Sequence, residues 1–276
     1  MEALLLRSLL FVILLCEVAF CSTLTFKNRG VVVKSVSLEE LKKQFSIEEI
    51  GVFEPHEGKR TTYRGFSFLS LLQSIYGESW KKAEEVLFSC IDGYEPSIPL
   101  SKFREKPSSL AFERKGQEFF ILDQLQQNKQ VALGPFYLVW NSTEPEGSED
   151  WPYQVISVDL IEFKDRFPKT SPPSKAGVRA RRGFLAFRKH CMACHTINGE
   201  GGSKSSVELN YPISVTEYMK EEFLFKWIED PASVRFNSTM LPVMKLNVQK
   251  NREPIIRDII AYLKVMATDK QPPTPK

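Results

Sequence analysis

The order of apolar and polar positions divides the chain into an apolar leader, a mixed strand-and-helix region, a proline-rich seam and a helical region. Arg7 precedes Leu9-Leu10-Phe11-Val12-Ile13-Leu14-Leu15, a run too short to span a bilayer and of the length of a secretory h-region. A less apolar stretch ends near Cys21 and Ser22, so residues 1–21 are expected to be a signal peptide, with a retained anchor as the alternative. Val18-Ala19-Phe20-Cys21 is a poor lipoprotein match, because Phe20 sits beside the acceptor cysteine. Val31-Val32-Val33 and Val86-Leu87-Phe88 predict strands, as do Val131-Ala132-Leu133 and Tyr153 to Val158. Ser37-Leu38-Glu39-Glu40 predicts a helix start, with serine at the cap and glutamate three positions later. Ser67 to Leu72 opens another helix, and Asn141 to Asp150 reads as a polar loop.

Phe167 to Lys175, with three prolines, suits neither a helix interior nor a central strand, so residues 169–178 are expected to be a linker. Beyond it the pattern is helical. Arg181 to His190 forms one segment, and Val215 to Asp230 an amphipathic one that stops at Pro231. Pro254 opens a third, running through Leu263. Residues 268–276 predict a frayed tail. The expected organisation is therefore a signal peptide (1–21), an N-terminal domain (22–168), a linker (169–178), a second domain (179–267) and a tail.

Composition changes this picture little. With 37 Lys+Arg against 34 Asp+Glu in 276 residues, bulk charge gives no argument for nucleic acid. Cys16 and Cys21 fall in the leader and Cys90 stands alone, so no disulfide framework is implied.

The remaining two cysteines carry the chemistry. Cys191-Met192-Ala193-Cys194-His195 has the C-x-x-C-H pattern of c-type haem attachment. Each thiol can form a thioether to one haem vinyl group, and the adjoining imidazole is then held under the iron. Half a zinc site would need a second cysteine or histidine pair, and the only histidines are His56, His190 and His195. A thioredoxin-like dithiol would want a strand-helix setting. With histidine so scarce, methionine is the expected distal ligand. Met240 and Met244 compete for that place, whereas Met219 and Met266 fall in predicted helices as core residues.

Residues 179–267 resemble a single-haem class I cytochrome c domain. The resemblance is carried by Gly183 and Phe187 ahead of the motif and by Tyr262-Leu263 in the last helix. Asp230-Pro231-Ala232-Ser233-Val234-Arg235, followed by Met240-Leu241-Pro242, completes it. It implies an all-α domain with one covalent haem c, with Cys191 and Cys194 as the tethers and His195 and Met240 as axial iron ligands. Family analogy places Trp227 and Arg235 near the haem edge or a propionate; core packing and solvation are their plainer alternatives. The family often has a proline carbonyl that accepts from the proximal imidazole. Here Ser206-Val207-Glu208-Leu209 stands in that place, so a backbone carbonyl near Val207 would have to serve.

More weakly, residues 24–166 resemble the α+β molybdopterin-binding domain of the sulfite oxidase family. Tyr63-Arg64-Gly65-Phe66-Ser67 is the first matching string, and Val86 to Tyr94, with Asp92-Gly93-Tyr94 at its end, is the second. Leu133-Gly134-Pro135-Phe136-Tyr137 is the third. Those enzymes ligate molybdenum through a cysteine ahead of the first element, and no cysteine lies between Ser22 and Ser89 here. The expected cofactor set is therefore haem without molybdopterin, and the leading expectation is an exported, periplasmic electron carrier rather than an enzyme. A haem-containing molybdopterin-dependent oxidoreductase of the sulfite oxidase type is the rival, and a gas or redox sensor a third class. Lys175, Arg179, Arg181, Arg182, Arg188, Lys189 and His190 precede the motif, which suggests redox partner proteins with an acidic docking face. No nucleic acid is expected, and a membrane only if the leader is retained.

Overall fold

The computed structural model describes residues 22–142, 148–205, 207–243 and 252–274. The expected signal peptide, Ser206 and Met244 lie outside the described residues. Strands β1 (Thr23–Asn28) and β2 (Val31–Ser37) precede helix α1 (Leu38–Gln44), and β3 (Glu48–Glu54) and β4 (Lys59–Ser67) precede α2 (Phe68–Tyr76). Then come β5 (Glu85–Cys90), β6 (Ser97–Pro99), α3 (Leu100–Glu105), β7 (Ser108–Arg114), β8 (Phe120–Asp123), β9 (Lys129–Ala132), β10 (Tyr137–Trp140), β11 (Val155–Ile161) and α4 (Phe163–Arg166). The remainder comprises α5 (Val178–His190), β12 (His195–Ile197), β13 (Glu200–Gly201), β14 (Val207–Glu208), α6 (Val215–Tyr218), α7 (Glu221–Glu229), α8 (Pro231–Val234) and α9 (Glu253–Met266).

Local chemistry accounts for several boundaries. Ser37 caps α1 in a full capping box, its hydroxyl accepting from the Glu40 backbone while the Glu40 carboxylate accepts from the Ser37 backbone. Ser67 caps α2. Val215 to Asp230 is not one helix: Met219 and Lys220 are extended, and Glu221 and Glu222 begin a new first turn, where acidic side chains suit the helix dipole. Pro231 does not simply end structure, because it takes the first position of α8.

The N-terminal half is built on two sheets. One has the order β2-β1-β11-β5-β6, with β1 parallel to β11, and the other the order β10-β7-β4-β3. Their inward positions form an apolar core rich in aromatic rings, including Phe68, Phe88, Phe103 and Trp140. A second core belongs to the helices after residue 177, but Leu87, Ile161, Phe163 and Phe167 from the first half contribute to it. Phe163 meets Phe184 at 5.9 Å, and Phe184 in turn meets Tyr262 at 5.5 Å.

The segment that reads as a linker is tied to these helices. Thr170 is fully buried, and the Tyr262 hydroxyl donates to its carbonyl at 2.6 Å. The tail is held as well. Asn198 donates to the Lys169 carbonyl at 3.0 Å and to the Asp269 carbonyl at 3.1 Å, and accepts from the Gln271 backbone at 3.1 Å.

The expected fold class requires correction. The C-terminal half is not all-α, since β13-β12-β14 forms a small sheet within it, and the whole is mixed α/β with 34% helix and 30% strand. The chain after His195 turns back beneath the motif, and parallel pairing of His195 with Val207 and Thr196 with Glu208 satisfies its backbone groups. Strands of two or three residues are too short to leave an alternating pattern in sequence.

Helices α5 and α9 do cross closely. A Cβ built on Gly183 would lie 1.8 Å from the Asp258 carbonyl oxygen and 2.9 Å from Tyr262 Cβ, so only glycine permits the approach. Phe187 and Tyr262 stack beside it at 5.2 Å. Gly183→Ala is expected to destabilise the protein by about 2–3 kcal/mol, read as a lowered midpoint of denaturant unfolding.

Candidate functional site

The motif begins where α5 ends. The Cys191 amide donates to Phe187, and the Cys194 and His195 amides both donate to the Cys191 carbonyl, at 3.0 and 2.9 Å. The result is a compact turn with Met192 and Ala193 buried. One backbone contact binds that turn to the N-terminal half, Glu95 N–H donating to Ala193 at 3.0 Å, and the loop after it adds another, Ser203 N–H donating to Gly93 at 3.1 Å. Gly202 lies under the turn, where a Cβ would come within 1.9 Å of the Ala193 carbonyl oxygen.

Burial holds both thiols in their neutral form, with Cys191 pushed up to about 12 and Cys194 to about 11. Little thiolate therefore exists at neutral pH, which disfavours thiol exchange. A thioether is uncharged and can stay buried without that penalty. Among the described residues, no group of three or more His, Cys, Asp and Glu side chains converges as a metal-ligand set.

Burial also lowers the basicity of His195, against the opposing effect of the Val207 carbonyl, so the imidazole stays neutral. Nδ1 lies 3.1 Å from Ser205 Oγ and 3.4 Å from the Val207 carbonyl oxygen. The Ser205 hydroxyl donates to the Cys194 carbonyl at 2.5 Å, so its oxygen is left to accept from Nδ1–H. That network assigns the proton to Nδ1 and leaves the Nε2 lone pair for a metal. The residues present thus fit a covalent haem on the chemistry of the donor set: two neutral thiols and an oriented imidazole. Met240 is half-buried against the same apolar cluster that holds Cys191 and Met192. Trp227 is half-buried on α7, and Arg235 is exposed.

Several residues that build the site carried no sequence signal. The Glu208 carboxylate accepts from the backbone amides of Asn198 (2.9 Å), Gly199 (2.8 Å), Asn210 (2.8 Å) and Tyr211 (3.0 Å), closing the loop behind His195. Lys204 joins the two halves, pairing with Asp92 at 2.7 Å and lying over the rings of Tyr94 (5.2 Å) and Tyr153 (5.3 Å). Burial alone would lower its basicity, but Tyr153 and Asp92 outweigh that and push it up. His190 faces Glu149 at 3.1 Å across the same junction.

The basic cluster before the motif is largely engaged within the chain. Arg179 and Arg182 both reach Asp258, Arg181 donates to the Ala176 and Ser174 carbonyls, and Arg188 donates to the buried Glu85 carboxylate. Lys175 and Lys189 face outward.

In the N-terminal half, Cys90 is buried and its thiol is raised by that burial. A separate polar cluster lies inside this half. The Glu54 carboxylate accepts from the hydroxyls of Tyr63 at 2.7 Å and Tyr137 at 3.0 Å, while Arg114 grips Glu57 at 2.6 Å. Such pairings satisfy groups that would otherwise be costly to bury.

No protein-family model matches the chain, and no match is found among curated proteins.

Burial raises the pKa of Glu208, but the Thr196 hydroxyl and the amides of Gly199, Tyr211 and Asn210 outweigh it, so the carboxyl titrates below its ordinary 4.5. Its stabilisation is present in full above that ordinary value and is lost as pH falls through the lowered one. Glu208→Gln is expected to cost about 2 kcal/mol at neutral pH, and the gap between variant and parent should close in acid. Urea unfolding at a series of pH values measures both.

Proposed function

We propose that this chain is an exported c-type haem protein that carries electrons through one covalently bound haem. The observation that carries the reading is the setting of His195. Its Nδ1 is engaged by Ser205 and the Val207 carbonyl, and the buried Cys191 and half-buried Cys194 thiols, both held neutral, stand on the adjoining turn. The resemblance of the C-x-x-C-H string and its surroundings to haem-attachment sequences supports the same conclusion.

In this reading Cys191 and Cys194 would tether the porphyrin and His195 would bind the iron, with Met240 as the further iron ligand on the strength of the sequence around it. A haem held there would supply reversible one-electron exchange at its iron. The protein's own residues hold the group, exclude water from the turn and fix the imidazole tautomer. Export, a periplasmic location and a redox partner protein belong to the proposal. No helix among the described residues is long and apolar enough to cross a membrane.

Purification from a host that matures c-type haem proteins, followed by an oxidised-minus-reduced spectrum and metal analysis, tests the reading. Iron near one equivalent with a reversible haem spectrum is expected; stoichiometric molybdenum would support the oxidoreductase instead. Cys194→Ala should lower the yield of stably attached haem, and normal yield would contradict the assignment. Met240→Ala should abolish the weak near-infrared sulfur-to-iron band of the oxidised protein; retention of the band would assign that place to another methionine.

A further inference from the structure

The β1–β2 hairpin ends in a surface that the haem reading does not use. A two-residue turn of Arg29 and Gly30, both with positive φ, joins Asn28 to Val31. β2 is the outer strand of the five-stranded sheet, and Val31, Val32 and Val33 are 70%, 57% and 48% exposed. A register shift between Phe26 and Lys27 separates this tip from the regular alternation, and only at Val36 does the strand return a side chain to the core. Edge strands are ordinarily blunted by charge or shortness, and a run of three exposed valines does the opposite. Val31 and Val32 face opposite sides of the strand, so the apolar surface wraps the hairpin tip rather than one face of the sheet, and exposed apolar surface with a polar rim marks an interaction site.

Cations form the rim. Lys27 is the register partner of Val32, Lys34 adjoins Val33, and Arg29 occupies the turn. Carboxylates share this end of the sheet: Asp159 accepts from the Gly30 amide at 2.9 Å and feels the Lys27 and Arg166 charges, Glu162 pairs with the exposed Arg29 at 3.5 Å, and Glu40, held by Ser37, feels the Lys34 charge. The exposed Arg166 belongs to the same end of the sheet, where its charge acts on Asp159. The hairpin is anchored beneath, because the Tyr76 hydroxyl donates to the Lys27 carbonyl at 2.7 Å.

We propose that this tip is a docking surface for an anionic lipid bilayer. The valines enter the headgroup boundary shallowly, where the open backbone edge still reaches water, and Lys27, Arg29, Lys34 and Arg166 stay at the level of the phosphates. The cations at the tip favour an anionic surface over a second copy, which would bring the same positive charge.

Cosedimentation of the full chain with vesicles tests this, comparing phosphatidylglycerol/phosphatidylcholine mixtures with phosphatidylcholine alone. The parent should bind the anionic vesicles, weaken with added salt, and lose roughly tenfold or more in affinity when Val31→Ser, Val32→Ser and Val33→Ser are combined. The leader is common to both chains and cancels in that comparison. Val32→Trp supplies a readout at the tip itself: its added emission should shift to the blue and be quenched by brominated anionic lipid. Equal vesicle binding by parent and serine variant overturns the proposal. So does an added tryptophan that brominated lipid does not quench, or one already blue-shifted without lipid because a second copy or the leader covers it.

Discussion

The C-terminal half depends on one close contact, the approach of α5 to α9 at Gly183. No side chain separates the helices there, and the Asp258 carbonyl occupies the space a Cβ would need. Phe187 and Tyr262 then stack, and the Tyr262 hydroxyl reaches the Thr170 carbonyl to draw in the proline-rich segment. The end of α5, and with it the Cys191–His195 turn, is fixed by the same contact. Packing of this kind tolerates little change of volume, which is why a single methyl group matters so much there.

Behind the turn the chain relies on hydrogen bonds rather than apolar burial. One Glu208 carboxylate gathers four backbone amides, and the side chain of Asn198 ties the seam to the tail. These contacts pull the loop tight enough to place Ser205 and the Val207 carbonyl at His195 Nδ1. Orientation of the imidazole thus follows from a loop that is itself held by a half-buried carboxylate. Lys204 and Asp92 add a cross-brace to the N-terminal half, so the motif is a joint between the two halves rather than an appendage.

What was legible in the sequence was local. Ser37 and Ser67 announce their helices, Pro254 stands at the second position of α9, and the run Val86-Leu87-Phe88 lies in a central strand. The C-x-x-C-H string suggested a chemistry without help from the fold. What stayed hidden was non-local. Glu208 looks like any surface glutamate until four amides from two loops converge on it, and a strand such as Val207–Glu208 has no period to detect. Thr170 reads as linker because nothing nearby in sequence reveals that Tyr262 will reach it. The arginines ahead of the motif read as a docking face for an acidic partner, yet Asp258 and Glu85, distant in the chain, engage three of them: Arg179, Arg182 and Arg188.

The Cys191 thiol is buried and the Cys194 thiol half-buried beside an oriented imidazole, and in the proposed function a covalent haem would give each of these groups a partner. Intact-protein mass spectrometry under denaturing conditions examines that bond most directly. Material from a maturation-competent host should carry the added mass of one haem, and the added mass should map to the peptide containing Cys191 and Cys194. An unmodified chain mass from a host that matures a known c-type protein in parallel would contradict the account.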